Sequence, residues 1–199
     1  MKKIILLQIL FLLFGLKVMA VNPLRQALIN AGSKDEALII YENYSNAEKA
    51  IVWTDKIDQV IGLNNWNSDQ LDLLNNLKNQ INAGIFELNS TSFTNFHNWA
   101  NTWKTQAVLE FEVAQLRFMV TLIHDYSTDY IGGGTSTTDC NCASGSDYCN
   151  GFFLPDSDQA CNGKLNCTQK QGCGLFWSWP CNGLCQGAQP SSSNGTLVY

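Results

Sequence analysis

From Val21 to about Tyr126, apolar side chains recur every three or four residues with polar ones between them, the period of helices buried along one stripe. Asn22-Pro23 opens a short helix that runs to Asn30 and is closed by Gly32, because proline suits a first turn and glycine the position past a last one. Ser33 with Glu36, and Ser45 with Glu48, have the spacing of a capping box, in which hydroxyl and carboxylate each satisfy a backbone N–H that the first turn leaves unpaired. The stripe after Ser45 is Ala47, Ala50, Ile51, Trp53, Ile57, Val60 and Ile61, ended by Gly62. Ser68 starts a further helix with Leu71, Leu74, Leu77 and Ile81 before Gly84.

The longest predicted helix runs from Thr94 to Tyr126, about 50 Å if straight. One stripe is Phe96, Ala100, Trp103, Ala107, Phe111, Ala114, Phe118 and Leu122, and a second, Leu109, Val113, Leu116, Val120 and Ile123, flanks its C-terminal half. Two apolar faces predict a spine contacted from both sides. The fold class expected over residues 21–126 is therefore an all-α helical bundle, followed by a small disulfide-rich, mostly irregular C-terminal module.

The pattern changes at both ends of this region. Met1, Lys2 and Lys3 precede an apolar run from Ile4 to Leu16, and Val18-Met19-Ala20 fits a cleavage site, so residues 1–20 read as a signal peptide; the run is too short for the roughly 20 residues of a spanning helix. The expected location is outside the cell, and the expected helpers are a signal peptidase and oxidative folding machinery. Residues 127–139, STDYIGGGTSTTD, read as a Gly/Ser/Thr-rich linker, either an ordinary tether or a processing site, since exposed segments of this kind are cut readily. Residues 186–199 read as a flexible tail.

Charge narrows the partners. The formal net charge is −5, and removal of Lys2, Lys3 and Lys17 with the signal peptide leaves nine basic against seventeen acidic side chains, a net −8. A chain this acidic has no basic patch to neutralise a run of phosphates, so no nucleic-acid partner is expected. His97 and His124 are the only histidines; on one straight helix they lie about 40 Å apart and cannot share a metal. Each is expected as a surface or helix-end residue. Glu110 and Glu112 face different sides of a helix, and no nucleophile, zinc-protease or phosphate-loop motif is present. The chain is not expected to be an enzyme or to carry a cofactor.

All eight cysteines, Cys140, Cys142, Cys149, Cys161, Cys167, Cys173, Cys181 and Cys185, fall within residues 140–185. A unit this small buries too little apolar surface to hold itself together, so cross-links are expected to carry much of its stability. Zinc is the rival use of the thiols, but paired CxxC spacing and histidine are missing from the window, and export favours oxidation. Eight cysteines allow 105 pairings. Cys140 and Cys142, one residue apart, are expected to take different partners. An oxidoreductase built on CxC is the weakest reading, for want of an evident support for a reactive thiolate.

The run Gly174-Leu175-Phe176-Trp177-Ser178-Trp179-Pro180 concentrates the module's large rings. Phe176, Trp177 and Trp179 either contact a membrane or target, since tryptophan favours the lipid–water boundary, or form the little core the module has. CNCASGSDYC from Cys140 to Cys149, GCGLFW from Gly172 to Trp177 and CNG from Cys181 to Gly183 together resemble the bacteriocin fulvocin C-related family. The resemblance covers about Asp139 to Gln186. It implies a secreted, disulfide-bonded antibacterial module behind a signal peptide and a helical region, with a bacterial membrane or surface receptor as partner. Asn150 to Ala160 is longer than in the short bacteriocin and Cys185 lacks a counterpart, so no pairing carries over. A secreted or surface-associated binding module that is never cut is the alternative.

Overall fold

The structure is a computed structural model and describes residues 21–63, 65–123, 140, 142–143, 160–162 and 167–186. The predicted signal peptide, the linker, residues 124–126 with His124, Cys149 and the tail beyond Gln186 lie outside the described residues. Over the described residues the architecture is a bundle of six α-helices joined to a small C-terminal region of strands and disulfides.

The helices are α1 (Pro23–Ile29), α2 (Lys34–Glu42), α3 (Asn46–Gly62), α4 (Ser68–Gln80), α5 (Thr91–Glu110) and α6 (Val113–Thr121), with a 3-10 turn, Ala83–Phe86, between α4 and α5. Local chemistry sets their starts. Asn22 accepts from the Leu24 N–H ahead of Pro23, and Ser45 with Glu48 forms a complete capping box. Asn67 and Gln70 form another. At α2 the exchange is displaced by one residue, because Ser33 accepts from Glu36 N–H while Glu36 reaches back to Gly32 N–H.

The expected 94–126 helix is instead two helices. Phe111, between α5 and α6, has an extended backbone (φ −125°, ψ 146°), and Glu112 restarts the helix with its N–H donated to Gln115 Oε1. Tertiary contacts fix the break. Gln70 donates to the Glu110 carbonyl that the helix end releases, and Phe111 packs edge-on to Trp66 at 5.6 Å. The chain then turns so that Leu116, Met119, Val120 and Ile123 join the core already occupied by Phe96, Ala100, Trp103 and Ala107. Leu109, assigned by periodicity to the second stripe, is 81% exposed. On α3 the buried face is Val52, Trp53, Lys56, Ile57 and Val60, with Ile51 turned outward.

Two charged side chains lie inside. Arg25 of α1 is fully buried and binds Asp55 Oδ2 at 2.9 Å and Gln59 Oε1, both on α3, while Asp55 also accepts from Asn22 N–H. Lys56 buries its stem and places Nζ 3.4 Å from the centroid of the Phe118 ring on α6, a cation–π contact between α3 and α6.

In the C-terminal region, β1 (Ala160–Asn162) pairs antiparallel with β4 (Leu184–Gln186), and β2 (Lys170–Cys173) with β3 (Trp179–Cys181). Cys142 bridges to Gly183. Three disulfides are described: Cys140–Cys167, Cys142–Cys161 and Cys173–Cys181. Cys140 and Cys142 thus take different partners. The core proper to this region is Cys140, Ala143, Cys173 and Cys181, with Cys167 and Trp179 against it, so sulfur supplies most of its interior.

Candidate functional site

Of the aromatic run only Trp179 packs against that sulfur-lined core. Leu175, Phe176 and Trp177 form a 3-10 turn between β2 and β3, and all three belong to the core of the helical bundle. The disulfide Cys173–Cys181 closes the loop that carries them, with Cys173 just before Gly174 and Cys181 just after Pro180. The ladder is irregular between Gln171 and Cys173, where Gly172 takes φ +98°. There the loop meets the bundle so closely that a Cβ on Gly172 would stand 2.1 Å from Leu38 Cδ2. Phe176 and Trp177 themselves take left-handed backbone angles, φ 56° and 53°, which bulky residues keep only where their surroundings impose it.

The side chains enter a socket made by α2, α3, α5 and α6. Phe176 is fully buried, with ring centroids 5.0 Å from Trp53 and 6.0 Å from Phe96. Trp177 presents its ring at 85° to Tyr41 and 81° to Trp53, the edge-to-face geometry that aromatic quadrupoles favour. Its indole N–H donates to the Thr121 carbonyl at 3.0 Å, in the last turn of α6, where a helix leaves carbonyls for outside donors. Beneath the turn, Trp53 Nε1 donates to Tyr41 Oη at 3.0 Å and the Tyr41 hydroxyl donates to the Phe176 carbonyl at 3.2 Å. Burial pushes the Tyr41 hydroxyl far above the usual phenol range, so it remains a donor at any ordinary pH.

At the rim sits His97. Its Nδ1 accepts from Trp179 Nε1 at 2.6 Å, its Nε2 is 3.4 Å from Ser178 Oγ, and its ring lies against Phe93 and Trp179. Burial, with a smaller contribution from the charge of Lys104, pushes the imidazole down to about 4, so the neutral ring accepts at neutral pH. The expectation of a surface or helix-end residue is corrected for His97: it joins the bundle to the module.

Of the sequence candidates, the structure therefore brings Phe176 and Trp177 into the bundle and leaves Trp179 half-buried where bundle and module meet. Cys140, Cys142, Cys161, Cys167, Cys173 and Cys181 form the three described disulfides, and Cys185 lies opposite Cys161 in the β1–β4 ladder. Tyr41, Trp53 and His97 are the residues that sequence reasoning missed as parts of this site. Among the described residues no group of three or more His, Cys, Asp or Glu side chains is placed to hold a metal ion. Among them too, no helix is long and apolar enough to cross a membrane. No family model, curated protein or solved structure matches the chain.

Proposed function

We propose that the chain is an exported bacteriocin-like protein, related to the fulvocin C-related family, whose helical domain holds the cysteine module silent until the chain is cut between residues 127 and 139 and the module dissociates. The single observation that carries the reading is the burial of Phe176 and Trp177 in the bundle core. Rings suited to a bacterial membrane or surface receptor are withheld from both while the loop is docked. Disulfides belong to the oxidising compartments that an exported protein enters, which supports secretion by way of a cleavable signal peptide. On this reading the freed module acts by contact, without catalytic turnover, on competing bacteria.

The experiment is the intact mass of the secreted species with and without reduction, followed by killing assays on the isolated fragment and on the uncut chain. A fragment of about 60 residues beginning between Gly132 and Cys140, active against bacteria where the uncut chain is inert, is the expected result. A secreted chain that starts at Val21, stays whole and kills nothing refutes it. That outcome is what the second reading expects, a surface-associated binding protein used intact. The shared core favours this alternative, since the bundle gains its Phe176 plug only from the module.

A further inference from the structure

All eight cysteines follow residue 139, so no disulfide can tie the helices to the module. Once the chain is severed between residues 127 and 139, only non-covalent contacts hold the two parts together. Those contacts have the anatomy of a tight interface: a desolvated aromatic anchor at the centre and a half-buried polar rim. Phe176 and Trp177 fill the centre, where the Phe176 carbonyl and the Trp177 indole each meet a bundle partner, Tyr41 Oη and the Thr121 carbonyl. Ser178 and Trp179 meet His97 at the rim.

The loop is also shaped in advance. Cys173–Cys181 closes it, and the β2–β3 ladder fixes both its ends, so docking need not pay for ordering a free segment. We infer that the helical domain is a receptor for the Gly174–Pro180 loop that works without the chain connection: it keeps its own module after the cut and takes up the module of a second copy. The biological use of such a receptor, as an antidote that keeps freed modules inactive around the producing cell, rests on the reading proposed above; the binding itself does not.

The test uses the full, oxidised chain with a site-specific protease sequence placed between residues 131 and 136. After cutting at neutral pH, the two parts are expected to co-elute in size-exclusion chromatography. Incubating cut unlabelled with cut isotope-labelled protein is expected to give mixed pairs in native mass spectrometry. Trp179→Phe, which keeps an aromatic ring, though a smaller one, but loses the N–H donated to His97, is expected to speed mixing several-fold, up to about tenfold. Trp177→Ser is expected to abolish co-elution, its oxidation state checked by the mass shift on reduction. Parts that separate or precipitate on cutting, or that stay paired without ever exchanging partners, overturn the inference. Failure of the silencing reading registers elsewhere, as an uncut chain that kills or a dissociated module that does not.

Discussion

Phe176→Ala separates a module that is merely tethered from one that completes the bundle. The side chain is fully buried, lies between Trp53 and Phe96, and comes from the C-terminal region, yet its neighbours are helical. Truncating a buried phenylalanine costs about 3–5 kcal/mol through lost transfer energy and the cavity left behind. At φ 56° alanine and phenylalanine are similarly disfavoured, so backbone strain largely cancels in the comparison. The assay is urea unfolding of the oxidised protein followed by the helical far-ultraviolet circular dichroism signal. With a slope of about 2 kcal/mol per molar urea, the helical midpoint should fall by about 1.5–2.5 M. Leu109→Ala, at a position 81% exposed, should cost less than about 0.5 kcal/mol and so move it by less than about 0.25 M. A helical transition that Phe176→Ala leaves in place would mean that the bundle stands without the loop, and the shared core would be refuted.

Three further outcomes are expected. The His97 imidazole is held at about 4 in the native protein against 6.5 unfolded, so the unfolded chain binds the extra proton first and stability falls as pH drops from about 6.5 to 4, with no further loss from this group below that. Discounted for the solvent that reaches a half-buried ring, the loss is about 1–2 kcal/mol, and His97→Gln should flatten that segment of the stability–pH curve relative to wild type. Asp55→Ala takes the counter-charge from the buried Arg25 guanidinium, leaving it the neutral Gln59, and should cost about 3–5 kcal/mol in the same unfolding assay, whereas an exposed-pair loss of under 1 kcal/mol would contradict the burial. Replacing both Cys173 and Cys181 by alanine opens a loop of eight-residue separation and should cost about 2.5 kcal/mol by loop-closure entropy, read on the helical signal because the loop is anchored in the bundle; an unchanged midpoint would refute that anchoring.

What the sequence made legible was local. Caps at Asn22 and Ser45 depend on neighbours within three residues, and the fold class followed from such signals together with the clustering of cysteines. The break at Phe111 was hidden because an apolar period of three and four runs straight across it, and what opens the helix there is Gln70 and Trp66, some 40 residues earlier in the chain. Lys56 is polar in any count of the pattern, but its stem is core and its charge rests on Phe118. The Phe176–Trp177 pair was visible as an unusual run, while its destination was not, because Tyr41 lies 135 residues away. His97 gave no signal beyond being one of two widely separated histidines on a predicted helix.

The Tyr41–Phe176 hydrogen bond also sets an order of events in time. A chain made N-terminus first completes α1 to α6 before residue 176 exists. In that interval the bundle has a hollow lined by Tyr41, Trp53 and Phe96, and closing it demands one of the most distant contacts in the chain, which makes it slow. Ring closure between Cys173 and Cys181 shapes the piece that fits the hollow, so thiol oxidation and helix consolidation become successive steps of one maturation.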